Sequence, residues 1–158
     1  MARPTVLRFA LGVLLAAAVL AGCASTPQAS PERDADAKQF RTHPGYSTLY
    51  IYRPEVEGNA EWQETVLYVG NRMIGGTLPQ TFYVVHVEPG THLLAGVAGD
   101  QGRFKLETRP DELYLVELRV SGGLSRYRLV EAETGKRVIR ECCRLLESWA
   151  PGQRPLLR

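Results

Sequence analysis

The sequence predicts a mainly β protein, a small antiparallel β-sandwich of seven or eight strands with one C-terminal helix. Three observations lead there. Between Ser47 and Val130 the apolar residues fall in short runs that alternate with polar ones, the period of a half-buried strand. Gly, Pro, Asn and Asp stand between those runs every few residues. Helical spacing of apolar residues appears only near the C-terminus, at Val138, Ile139, Cys142, Leu145 and Leu146.

The elements follow in order. Ser47-Arg53 is rich in β-formers and stops at Pro54. Gln63-Val69 is a second run, and Gly70-Asn71 suits the two-residue turn of a hairpin. The return strand is Arg72-Leu78, in which Gly75-Gly76 marks a bulge or a close backbone approach. Thr81-Val87 is the fourth run. Glu88-Pro89-Gly90-Thr91 then reads as a type II turn, with Pro89 presetting φ and Gly90 free to take a positive one. His92-Ala98 leaves that turn. Gly102-Thr108 puts Phe104 and Leu106 on one face and Arg103, Lys105 and Glu107 on the other. After Pro110-Asp111, Leu113-Val120 sets Tyr114, Val116, Leu118 and Val120 against Glu117 and Arg119. Beyond Gly122-Gly123, Leu124-Val130 turns Tyr127 and Leu129 inward and Arg126 and Arg128 outward. One solvated face per sheet is the expectation. The helix is expected across about Lys136-Ser148, because Thr134-Gly135 argues against an earlier start. The alternative is a shorter helix followed by a last strand near Cys143-Leu146.

The start of the chain sets an address. Arg3 and Arg8 precede an uncharged apolar run from Phe9 to Ala21. A bilayer-crossing helix needs about 20 apolar residues, and a shorter run suits a signal-peptide core. The run ends in Leu20-Ala21-Gly22-Cys23. This resembles the lipobox of bacterial lipoproteins at every position: small residues admit the backbone to a signal peptidase, and Cys23 offers a thiol for a diacylglyceryl group. The resemblance implies cleavage before Cys23, a signal peptide over 1–22, and often a further acyl chain such as palmitate on the new amine. Each buried CH₂ is worth about 0.8 kcal/mol, so two or three chains anchor stably where one does not. Ala24, not Asp, follows the cysteine, which favours the outer membrane, facing the periplasm.

Residues 23–45 are polar, carry three prolines and contain Phe40 as the only large apolar side chain. They read as a flexible stalk with a reach of roughly 25 Å. The ordered domain is then 46–148, and 149–158 is a loose tail. The whole chain holds 19 basic and 17 acidic residues, and the leader takes Arg3 and Arg8, leaving 17 of each. A neutral domain gives no argument for a nucleic-acid partner.

The ordered part resembles a lipoprotein family, domain of unknown function 2846. Four features carry this: Tyr50-Ile51-Tyr52-Arg53-Pro54, the hairpin Tyr68-Val69-Gly70-Asn71-Arg72-Met73-Ile74-Gly75, the turn Val87-Glu88-Pro89-Gly90-Thr91-His92, and the strand Leu113-Tyr114-Leu115-Val116. The resemblance implies a small β-sandwich and transfers no activity.

No catalytic set emerges from the spacing. His43 lies in the stalk, His86 on the Phe82/Val84 face of a strand, and His92 just after a turn. His86 and His92 flank one turn, so a hairpin there would bring them together as a metal or acid–base pair. A satisfied histidine and a surface histidine are the preferred reading, because no carboxylate or third ligand is placed with them. Glu55, Glu57, Glu61 and Glu64 surround Trp62 in a loop, without the alternating ligands of a calcium loop. Trp62 is either a partner anchor or a cap on the core. Cys142 and Cys143 are adjacent. Buried free thiols are preferred over a vicinal disulfide or an intermolecular bridge, and no His lies near them to complete a zinc site. No cofactor, metal or catalytic residue is expected. The functional expectation is a non-enzymatic, lipid-anchored binding or adaptor module whose partner is an envelope protein or peptidoglycan. The alternative is an inhibitor or immunity-type lipoprotein, using Pro54-Trp62 to plug an attacking hydrolase.

Overall fold

The computed structural model describes residues 26–54, 65–96, 102–121 and 124–149. Within them lie two helices and nine strands: α1 (Pro31–Ala37), β1 (Ser47–Arg53), β2 (Thr65–Val69), β3 (Arg72–Thr77), β4 (Thr81–Val87), β5 (Gly90–Ala95), β6 (Arg103–Thr108), β7 (Leu113–Ser121), β8 (Leu124–Val130), α2 (Ala132–Cys142) and β9 (Arg144–Leu145). The strands form a five-stranded sheet, β8-β7-β1-β4-β9, and a four-stranded sheet, β3-β2-β5-β6. Among the described residues no helix is long and apolar enough to cross a membrane.

The two sheets close on one apolar layer. Leu49, Ile51, Tyr83, Val85, Val116, Leu118 and Val120 meet Leu67, Val69, Ile74, Leu94 and Leu106. This is the sandwich that the alternating runs predict. The pairing is not wholly antiparallel, however. β1 runs parallel to β7, and β4 runs parallel to β9. Parallel neighbours need a crossover, and the excursion of the chain through the four-stranded sheet supplies it for β1 and β7.

The expectation of one solvated face per sheet fails for the larger sheet. Every residue of β1 is buried. A second apolar cluster, Tyr50, Tyr52, Phe82 and Leu115 with Phe40, Ile139, Cys143 and Leu145, lies on its outer face. Leu115 and Glu117 are therefore buried although both fall on the face assigned to solvent. Leu129 departs in the other direction. It is 48% exposed because β8 is the edge strand and leaves it uncovered.

Helix α2 makes this outer layer, and it begins before Thr134-Gly135. The Glu131 carboxylate accepts from the backbone N–H groups of Glu133 and Thr134, each at 2.9 Å, and so caps the first turn. Gly135 is buried where the helix presses on β7. A Cβ there would lie 2.6 Å from Leu115 Cδ2 and 2.9 Å from Leu115 Cβ. The residue that argues against helix by propensity is the one that permits close approach. The helix ends at Cys142, and β9 follows, as the shorter-helix alternative has it.

Residues 26–45 are not a stalk. Ser30 caps α1 through its hydroxyl, Pro31 occupies the first turn, and Asp34 Oδ1 accepts from Leu145 N–H at 2.7 Å. Gln28 bridges to Leu146, and Ala29 N–H donates to the Leu145 carbonyl at 2.9 Å. The segment thus pairs the β9 side of the sheet, where open backbone groups would otherwise face solvent. Phe40 then packs on Tyr50, with ring centroids 4.9 Å apart.

The turn signals hold with refinements. Gly70-Asn71 links β2 to β3, with Gly70 at φ +60°. The bulge falls beside Gly75, where Leu67 faces Gly75 and Tyr68 faces Met73, leaving Ile74 unpaired. Gly90 has a positive φ of +144°, but it is the first residue of β5, and β4 and β5 lie in different sheets.

Candidate functional site

A cleft of about 490 Å³ opens on the outer face of the five-stranded sheet, beside α1. Its floor is Tyr50, Val84 and His86, and its rim includes Arg33, Asp36, Arg41, His43 and Glu147. Two histidines meet here, but they are not the pair that the sequence pattern brings together. His92 is separated from His86 because β4 and β5 belong to different sheets. Its Nε2–H donates to the Glu88 carbonyl at 2.7 Å. His86 instead faces His43, with ring centroids 5.1 Å apart.

Thr48 organises the pair. Its Oγ1 accepts from the His43 backbone N–H at 3.2 Å. The hydroxyl proton is then available to His86 Nδ1, also at 3.2 Å, which places the imidazole proton of neutral His86 on Nε2. His43 Nδ1 lies 3.2 Å from the Pro44 carbonyl and must be the donor, so His43 offers Nε2 to the cleft. Partial burial and the neighbouring His43 hold His86 below the usual histidine range. A lowered histidine pKa means the unfolded chain binds the proton more readily. The domain should therefore lose stability as pH falls through the unfolded value of about 6.5. Denaturant titrations across pH 5 to 7.5 (roughly the histidine range) should show this slope in the wild type and less of it in His86→Gln. An equal slope in both would refute the assignment.

The other charges of the cleft are matched. Arg33 pairs with Glu147, and Arg41 pairs with Asp36. Tyr50 donates to the Ala37 carbonyl at 2.6 Å, and burial, aided by Asp36, pushes its pKa up to about 12. It has no proton to exchange near neutrality. The ring nitrogens of both histidines that are bonded meet a hydroxyl and a carbonyl, not a carboxylate. Among the described residues, no three His, Cys, Asp or Glu side chains come together as a metal-binding group. The arrangement suits recognition of a neutral or zwitterionic surface by hydrogen bonds.

A second polar cluster sits on the outer face of β7 and β8. Glu117 is 6% exposed, and its two oxygens are taken by Arg119 Nε and by Arg128 Nη2, the latter at 2.8 Å. Burial works to raise the Glu117 pKa, but the two guanidiniums outweigh it and hold the carboxyl below its usual range. Arg126 stands opposite Arg119 across the strands. This is a charged surface organised by one buried carboxylate.

Cys142 and Cys143 are bonded to each other, which corrects the expectation of free thiols. The helix ends between them, turning the chain so that adjacent sulfurs meet. Cys143 Sγ lies 3.9 Å from the Arg53 carbonyl oxygen, a packing contact, since a bonded sulfur has no proton to donate. Cys23 and Trp62, the expected lipidation site and partner anchor, lie outside the described residues, as does the acidic run around Trp62. Pattern reading passed over Thr48 and left His43 in the stalk. The one available signal was Thr48, a β-branched polar residue beside the run Leu49-Tyr50-Ile51-Tyr52.

No family model and no solved structure matches the chain. An uncharacterized protein of Haemophilus influenzae is 30% identical over 135 residues, covering 82% of this chain and 77% of the relative. That identity over so much of both lengths makes this chain a member of the same family as the Haemophilus influenzae protein.

Proposed function

We propose that this protein is a lipid-anchored, non-enzymatic binding module of the cell envelope, held to the outer membrane through Cys23 and facing the periplasm. Its partner is an envelope protein or peptidoglycan. The observation that carries the reading is the leader: Arg3 and Arg8, an uncharged apolar run, then Leu20-Ala21-Gly22-Cys23. The cleft supports a binding role over a catalytic one. Its cations are paired, its tyrosine is held protonated, and the hydroxyl that joins its two histidines, Thr48, is fully buried between two nitrogens.

Metabolic labelling with an alkyne fatty acid tests the anchor. Label should enter the wild type in the outer-membrane fraction and be absent from Cys23→Ser. Equal label in both, or none in either, would sink the reading. Crosslinking in whole cells tests the binding role: one envelope component should be captured by the lipidated form and lost with Cys23→Ser.

A further inference from the structure

We propose that the edge of the sandwich formed by Thr26–Gln28 and Glu147–Trp149 rests on the lipid–water interface, with Trp149 among the headgroups. The inference depends on the lipidation of Cys23 and adds to it which side of the domain meets the membrane.

The first ground is chain length. Three peptide steps separate Cys23 from Thr26. An extended chain covers at most about 3.3–3.6 Å per residue, so the acylated residue lies within roughly 11 Å of Thr26. A domain of this size has a radius of gyration of about 14 Å. The tether is shorter than the body it holds.

The second ground is that Thr26 cannot swing. It is 5% exposed. Next to it, the Pro27 carbonyl accepts from Glu147 N–H at 2.9 Å, and Gln28 bridges to Leu146. Ala29 and α1 continue the attachment. The exit point is therefore part of the folded edge.

The third ground is what stands at that exit. Two residues beyond the Gln28–Leu146 bridge, the chains reach Thr26 and Ser148, and Trp149 is next. Trp149 N–H donates to the Ile74 carbonyl at 2.7 Å, the carbonyl of the unpaired bulge residue in β3. Trp149 remains only half-buried. Tryptophan joins an apolar ring to one N–H, and membrane–water boundaries favour that combination. The nearby Glu147 carboxylate is paired with Arg33, so the edge does not bring a bare negative charge to the lipid. The histidine cleft shares Glu147 and Ser148 with this edge. Its ligand would then be met close to the membrane surface.

The test uses the full-length lipidated protein with Trp62→Phe, which leaves Trp149 as the one tryptophan of two. It is reconstituted in phosphatidylethanolamine–phosphatidylglycerol vesicles, with or without lipids brominated near the headgroup. Emission should be quenched about twofold or more by the brominated lipid, and should lie to the blue of the unacylated domain made without residues 1–23. Mass spectrometry on the same sample separates the two failures. Acylated protein with unquenched emission overturns the membrane-facing edge and leaves the anchor standing. Unacylated protein overturns the anchor, and the edge with it. A glycine–serine insertion of about 20 residues before Thr26, with a reach of roughly 25 Å, should relieve most of the quenching. Full quenching despite the insertion would show that the short tether does not hold the edge in place.

Discussion

Phe40→Ala is expected to lower the stability of the folded domain by about 3 kcal/mol, within the range for truncating a buried phenylalanine. Phe40 is 7% exposed and sits between Tyr50, 4.9 Å away by ring centroid, and the Arg140 guanidinium, 4.9 Å above its ring. Its backbone takes φ +55°, a left-handed value that a non-glycine residue holds at a cost of about 1–2 kcal/mol. Burial of the ring offsets that cost. In a flexible stalk the same substitution would change nothing, so urea unfolding distinguishes the two descriptions cleanly. A midpoint unchanged from wild type would mean that the segment before β1 does not belong to the domain. Phe40→Leu, which keeps apolar volume, should recover much of the loss.

Gly75→Ala is expected to cost about 2–4 kcal/mol, although it adds a single methyl group. A Cβ at Gly75 would overlap the Tyr83 hydroxyl oxygen and lie 3.0 Å from Cζ. Tyr83 cannot retreat. It is 2% exposed in the layer between the sheets, and its hydroxyl donates to the Gly76 carbonyl at 2.7 Å. Either the hydrogen bond breaks and a buried hydroxyl loses a partner, or β3 moves away from β4. A double-mutant cycle with Tyr83→Phe checks the cause. Without the hydroxyl the nearest overlap is gone, so Gly75→Ala should cost distinctly less in the Tyr83→Phe background. Equal costs in both backgrounds would remove Tyr83 from the explanation.

These two sites show where pattern reading succeeds and where it stops. Gly75-Gly76 was legible as a bulge or a close approach, because a glycine pair inside a strand pattern has few other uses. The neighbour that requires it, Tyr83, was not. Phe40 was visible as a lone apolar residue in a polar stretch, and composition assigned it to solvent. Its partners Tyr50 and Arg140 come from β1 and α2, and Arg140 lies 100 residues further along the chain. Composition averages over a segment, whereas docking is decided by a few side chains that find a complementary surface.

The candidate site follows the same division. His86 could be placed on the Phe82/Val84 face of its strand, and the structure makes that the outer face of the larger sheet. Pairing His86 with His92 assumed that strands flanking a tight turn belong to one sheet. The chain passes between sheets at Glu88-Pro89, and the neighbour of His86 is His43, from the segment read as a tether. Cys142 and Cys143 raise a related point. Adjacent cysteines permit several outcomes, and the end of α2 between them selects one.

By itself, then, the sequence determined the positions of most strands and turns and the class of the fold. Alternation, Gly and Pro act within a few residues, so those features are local. Only the tertiary structure decided that β1 lies parallel to β7, that both faces of the larger sheet are covered, that residues 26–45 belong to the domain, and that His43 meets His86 over Thr48. Each of these depends on which surfaces far apart in the chain lose water together. Burial is a property of what covers a residue, and a residue's sequence neighbours do not specify its cover.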